Sequence, residues 1–257
     1  MNTPKTSRSA RFPAEVILRK GKRRAHVYDT LRERILLLDL EPGSVLDEAT
    51  LGNDLNVSRT PLREAFARLA AEDLVDVLPN RGARVASMEL AHIQQHLEAF
   101  ELIQRTATVL AAHRRSQADV EKLTRLCADF EEARARADVR AMIMSNLLFH
   151  QAIGAAGRNR YIERMYDGVL SDNLRVARLA MAYECYGSVE VHARHLQAIV
   201  DEHRGLVDAI RLKDSQTAST LADSHSQLAR TRVSEYLKWD LTQSIQVSRP
   251  LDANRDV

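Results

Sequence analysis

Apolar residues recur at three- and four-residue steps through most of the chain, the spacing that buries one face of an α-helix. Between His26 and Leu38 that face is Val27, Leu31, Ile35 and Leu38, after which Glu41-Pro42-Gly43-Ser44 stops the helix. Glu48 to Leu55 reads as a short second helix with Leu51 and Leu55 inward. It ends at Asn56, a residue type that tolerates the left-handed conformation of a tight turn. Ser58 is then the N-cap of a third helix, Pro61 sits in its first turn where a missing N–H costs nothing, and Leu62, Phe66 and Leu69 form its buried stripe to about Asp73. Two short strands follow, Leu74 to Leu78 and Ala83 to Ala86, joined by the turn-forming Pro79-Asn80-Arg81-Gly82. Three helices and a small hairpin predict a winged helix-turn-helix over residues 25–86. From Ser87 onward no strand pattern is found. Ser87, Ser116, Asp138, Asn159, Ser188 and Asp214 each precede a helical stripe, which predicts about six helices ending near Trp239. The expected fold is mainly α: an N-terminal winged helix-turn-helix, a C-terminal all-α bundle over 87–240, and an aperiodic, flexible tail over 241–257.

Composition agrees with helices, with only 9 Gly, 6 Pro and 5% aromatic residues. Two cysteines, Cys127 and Cys185, lack metal-type spacing and are too few for a disulfide framework, and no apolar run is long enough to span a bilayer. A cytoplasmic protein without a membrane partner is expected. The net charge of +2 is unevenly spread: residues 1–86 carry 15 Lys+Arg against 12 Asp+Glu, the remainder 22 against 23. Most of the excess lies in residues 1–24, where eight basic side chains face Glu15 alone. That arm reads as a solvated, flexible segment, with a phosphate-contacting arm and a transit peptide as alternatives.

Arg59 and Arg63 stand one turn apart on the third helix, beside Thr60 and away from the apolar stripe. Two guanidinium groups near a helix N-terminus suit the major groove, where Arg pairs bidentately with guanine. On most helices such a pair is only a solvated face. Here the surrounding stretch, LDEATLGNDLNVSRTPLREAFARLAAEDLVDVLPNRGARV, resembles the DNA-binding domain of the GntR superfamily of bacterial transcription regulators. The likeness runs from Val27 to Val85 and centres on SRTPLREA. It implies DNA contacts from Ser58, Arg59, Thr60 and Arg63, and from Asn80, Arg81 and Gly82 of the wing. Ala49 departs from the pattern, standing where several members carry a basic, phosphate-contacting residue.

Three of the nine histidines occupy the centres of three apolar stripes: His150 with Ile143, Asn146 and Ile153; His203 with Leu196, Val200 and Ile210; His225 with Leu221 and Leu228. One histidine on such a face is usually a hydrogen-bonded core residue. Three converging neutral imidazoles could instead hold a divalent metal such as Zn²⁺ or Ni²⁺, or bind an anionic ligand directly. His192 also falls inward, so periodicity does not single out the trio. The bundle resembles the FCD ligand-binding domain of FadR-type GntR regulators at Phe149-His150 with Gly157-Arg158-Asn159, at Glu202-His203 with Ala209-Ile210, and at His225 with Leu228. That resemblance implies a metal held by an Asp and three His, with Asn146, His150, His203 and His225 in those places. Asn146 can ligate but brings no negative charge, so weaker metal binding is expected. Glu101 stands where the family often has an effector-holding Arg; Arg105 and Arg175 are substitutes, each expected at the surface.

These readings converge on a ligand-responsive transcription regulator, not an enzyme, with repression the expected sign. It would bind an inverted-repeat operator as a homodimer and respond to a small organic acid or sugar acid. Two rivals stay open: a metal-dependent enzyme using the histidines, and a DNA-binding scaffold whose bundle only dimerises.

Overall fold

The computed structural model describes residues 26–78, 82–184 and 189–246. Apart from residues 36–38, which are grouped with the second, the chain parts after Ser87 into two compact units.

The first unit holds helices α1 (26–36), α2 (Glu48–Asp54) and α3 (Arg59–Ala70) and the strands β1 (Val45–Leu46), β2 (Val75–Leu78) and β3 (Gly82–Val85). Val27, Leu31 and Ile35 of α1, Leu51 of α2, and Leu62, Phe66 and Leu69 of α3 are buried together with Leu74, Val75, Ala83 and Val85. The apolar stripes thus close on the sheet. Local chemistry sets the helix ends. The Asp47 carboxylate accepts from the Thr50 N–H at 2.7 Å to open α2. Asn56 takes a positive φ of 50°, as its residue type allows. Ser58 sits in the extended N-cap conformation of α3 without a side-chain capping bond. The far end of α3 is tied to α1, where Glu72 accepts from both the Tyr28 hydroxyl and the Arg32 guanidinium.

The sheet has three strands in the order β1-β3-β2, all antiparallel, where the pattern of residues indicates only a hairpin. Two residues are too few to display a period of two, so β1 leaves no mark in the sequence. It is held by backbone: Val45 pairs with Arg84 and Leu46 with Ala83, and Gly43 and Ser44 exchange bonds of 2.9 Å with Val85.

The second unit consists of α4 (Leu90–Arg114), α5 (Gln117–Ala135), α6 (Val139–Ala156), α7 (Arg160–Glu184), α8 (Val189–Leu212) and α9 (Ser215–Gln246). Helix α4 packs against α6, α7, α8 and α9; its fully buried Ala107, Ala111 and Ala112 keep the neighbouring backbones close. Four of the expected starts are present. Ser116 and Asp119 form a reciprocal capping box, Asp138 accepts from the Ala141 N–H, Asn159 from the Ile162 N–H, and Asp214 from the Thr217 N–H. Ser188 lies outside the described residues. Helix α4 begins at Leu90 after Glu89, not after Ser87, because the Ala86 N–H is still bonded to the Leu74 carbonyl. At the other end α9 continues past Trp239 to Gln246, so residues 241–246 are helix. No Gly or Pro interrupts the chain between Ser215 and Pro250, and weak periodicity alone does not end a helix. Among the described residues no helix is long and apolar enough to cross a membrane.

Gly82 has φ +81°, and a Cβ there would stand 2.6 Å from the Leu46 carbonyl oxygen. Gly82→Ala is therefore expected to destabilise the winged unit by about 1–3 kcal/mol. Thermal denaturation checks this: a Tm equal to that of the parent protein would show that the β1–β3 contact is looser than described.

Candidate functional site

His150 on α6, His203 on α8 and His225 on α9 meet inside the bundle. Their ring centroids are 5.6 Å (His150–His203), 5.2 Å (His150–His225) and 5.0 Å (His203–His225) apart. Each offers one ring nitrogen such that the three atoms lie within 4.8 Å of one another. His150 and His203 are fully buried and His225 is 8% exposed. Placement at the centres of three apolar stripes has this result: when the stripes pack together, their polar members share one interior volume.

Hydrogen bonds fix how two of these rings present themselves. Gln104 of α4 donates through Nε2 to the Ala222 carbonyl and to Ser226 Oγ, both at 3.0 Å, so its Oε1 faces the other way as an acceptor. The Tyr166 hydroxyl donates to that Oε1 at 3.2 Å. Its single proton is then used, and the 3.0 Å contact with His150 Nδ1 requires the ring N–H to donate to the phenol oxygen. His150 Nε2 is left as a lone pair. His225 Nδ1 lies 2.9 Å from Glu202 Oε2, while the other carboxylate oxygen, Oε1, accepts from the Ser224 hydroxyl; a carboxylate only accepts, so this ring too carries its proton on Nδ1. A carboxylate or hydroxyl behind each imidazole, leaving Nε2 forward, is the arrangement that orients histidine toward a metal.

Two of the three rings carry nitrogens without a protein partner among the described residues: His150 Nε2 and both ring nitrogens of His203 are buried and unbonded. His203 is instead held by rings, stacked on Phe149 at 4.3 Å and edge-on to Phe130 at 5.2 Å. A buried polar atom left unpaired costs about 1–3 kcal/mol, so the cluster is built for something additional. Burial pushes His150 and His203 well below the ordinary imidazole value, and the neighbouring imidazoles add to it. Neutral rings with exposed lone pairs are what a divalent cation requires. The donor set fits a divalent cation, which His150, His203 and His225 would hold.

His225 and Asn146 also line a cavity enclosing about 720 Å³ of space including its open mouth. Asn146, one turn before His150, is thus at the cavity and half-buried. Sequence reasoning passed over three further polar lining residues, His195, Asn173 and Arg232. Burial, then Arg232, His192 and His225, lower His195 to about 4. Its signal was available, since His195, Ile199 and His203 share one face of α8. Arg175 is not at the surface as expected: it is 1% exposed, lies 3.2 Å from Asp172, and is not among the described lining residues. Arg105 is at the surface beside Asp223. Glu101 is engaged by Arg230 at 2.9 Å.

On the winged unit Ser58, Arg59, Thr60 and Arg63 are exposed on the first turns of α3. Arg63 reaches back to α2, where its Nε donates to Glu48 Oε1 at 2.8 Å. Glu48, Arg63 and Gly82 line a shallow groove between α3 and the wing. Asn80 and Arg81 lie outside the described residues.

A family model described as "Bacterial regulatory proteins, gntR family" matches residues 23–85, and the FCD domain model matches residues 95–228, more than half of the chain. The chain belongs to the GntR family of bacterial regulatory proteins. An uncharacterized HTH-type transcriptional regulator of Streptomyces ambofaciens is 41% identical over 70 residues, which span 27% of this chain and 30% of that relative's own length. The gluconate operon transcriptional repressor of Bacillus subtilis (strain 168) is 26% identical over 212 residues, covering 81% of this chain and 83% of the repressor. Among solved structures, E. coli McbR/YncC superposes with a TM-score of 0.70 at 19% identity, over 84% of this chain and 98% of that one. That likeness shows a GntR-type fold: a helix-turn-helix unit followed by a helical FCD domain. The histidine cluster and its cavity lie in the FCD unit, and the Arg-bearing helix lies in the GntR unit.

The buried histidines make a pH dependence expected. Folded-state values below the unfolded one near 6.5 mean that the unfolded chain binds more protons, so stability is full above about pH 6.5 and is lost as pH falls toward the folded values. Each such group contributes a slope of up to about 1.4 kcal/mol per pH unit. Urea melts of chelator-treated protein between pH 7.5 and 5, above the range where carboxylates titrate, should show the decline. A flat profile would contradict neutral burial.

Proposed function

We propose that the chain is a ligand-responsive transcription regulator that binds operator DNA through α3 and the wing and senses a small organic anion in the FCD cavity. The observation that carries the sensing half is the set of buried imidazole nitrogens without protein partners beside an open cavity. The exposed Arg59 and Arg63 on the first turns of α3 carry the DNA half. It acts as a homodimer on an inverted repeat, because one short helix reads only a few base pairs and two-fold symmetry doubles the contact. Repression is the proposed sign, in keeping with the name of the gluconate operon relative. A protein that acts on operator DNA in this way is a cytoplasmic one on this reading. Organic acids and sugar acids are the effector classes that the FCD resemblance suggests.

A divalent metal, Zn²⁺ or Ni²⁺, would be held by His150, His203 and His225 with Asn146 beside them, and would supply a positive centre for an anionic ligand. Glu202 and Tyr166 hold the protons of two ring nitrogens on the far side. An effector controls DNA binding only if it favours one of two states of the protein, so the cavity must differ between the DNA-bound and DNA-free forms. The family and its named relatives are transcriptional regulators, and the chain is read as a regulator, not an enzyme.

Replacing Arg59 or Arg63 by Ala is expected to weaken specific operator binding about tenfold or more each, with the fold intact by circular dichroism. Unchanged affinity in a gel-shift titration would remove α3 from the reading role. Tyr166→Phe keeps the packing but takes away the acceptor for His150 Nδ1–H. Metal affinity should fall about 10- to 100-fold in competition with a chromogenic chelator. His203→Ala should leave operator affinity in place and abolish the response to metal and effector; a variant that still releases DNA on effector addition would refute the site.

A further inference from the structure

The described cavity wall is chemically lopsided. Phe130, Met142, Ile143, Leu174, Ile199 and Leu228 supply a broad apolar surface, while Asn146, Asn173, His195, His225 and Arg232 supply the polar one. No Asp or Glu is among the described lining residues, and Arg232 is their one guanidinium. Its side chain is 7% exposed and is paired with Glu235 at 2.7 Å, which anchors it. His195 is lowered first by burial and next by Arg232, with Glu202 acting in the opposite direction, so the positive field of Arg232 reaches a cavity residue. Asn146 matters in the same sense: a carboxylate there would repel an anion, and an amide does not.

We infer that the cavity takes an amphipathic carboxylate, with one anionic head at the Arg232 and imidazole side and an apolar body, alkyl or aryl, against the hydrocarbon wall. This rests on the cavity being the effector chamber and narrows the effector class. A sugar acid carries a hydroxyl on nearly every carbon; the Asn and His side of the cavity can meet some of them, but those against Phe130, Met142, Ile143, Leu174, Ile199 and Leu228 find no partner. Each hydroxyl desolvated without a hydrogen bond weakens binding by about tenfold. The apolar body gains what the hydroxyls lose, since each buried methylene strengthens binding several-fold. The head is selected by charge: a neutral alcohol of equal length has the same body and no attraction to Arg232.

Isothermal titration of the purified full-length chain with octanoate, 1-octanol and gluconate tests this, each in chelator and again with added Zn²⁺. Octanoate is expected to bind at least about tenfold more tightly than either competitor. Arg232→Gln should erase the preference for octanoate over octanol, and Arg232→Lys should retain it. Gluconate or 1-octanol binding as tightly as octanoate, or no saturation by octanoate in either condition, overturns the inference; the wild-type comparison decides this even if the Arg232 variants fold poorly. Tight octanoate binding that is indifferent to Zn²⁺ supports the inference and removes the metal from the effector reading. Tight octanoate binding that leaves operator affinity unchanged supports the inference and removes the regulatory reading.

Discussion

Three imidazoles share one buried volume, and most of what is distinctive in the bundle follows from that. A proton added to His150 or His203 would lack water and face two further rings at 5.0–5.6 Å, so for those two the neutral form is the one that burial permits. A neutral imidazole still has one donor and one acceptor to satisfy. The donors of His150 and His225 are taken by Tyr166 and Glu202. The acceptors are left facing inward. The chain of Gln104, Tyr166 and His150 consequently does more than connect α4, α6, α7 and α9: it decides which nitrogen is available for chemistry.

The winged unit obeys a different constraint, that of backbone. Its sheet is completed by a two-residue strand with little side-chain pattern of its own, held by bonds from residues 43–46 to β3. The close approach of Leu46 to Gly82 makes the base of the wing depend on one residue without a Cβ. The side chains of α3 can then vary on their exposed face while Leu62, Phe66 and Leu69 keep the helix seated on the core.

Much of this was legible in residue order. The stripes located nearly every helix, the change in period located the hairpin, and the midpoints of three stripes located the histidines, because burial acts on residues three and four apart and leaves a local record. Tertiary pairing leaves none. Gln104 and Tyr166 are 62 positions apart, and their partnership follows from how α4 and α7 pack. Arg175 reads as a surface cation by residue type, yet it lies buried in α7, because helix rotation in a multi-sided bundle buries positions off the main stripe. Asn146 is the opposite case: its place one turn before His150 already sets it beside the cluster, and the cavity lining includes it.

The pair formed by Arg63 and Glu48 gives the recognition helix an internal rival for its own cation. Any guanine edge or phosphate that engages Arg63 must either share the guanidinium with Glu48 or take it away. Engagement at that position thus exchanges one anion for another, where a bare arginine would shed only mobile counterions. Glu48 also stands in the groove between α3 and the wing, where a negative charge penalises loosely placed phosphates more than a well-aimed base. On the proposed reading of α3, the carboxylate would act as a threshold, discouraging non-specific attachment to DNA while a contact that meets the full geometry of Arg63 is still worth making.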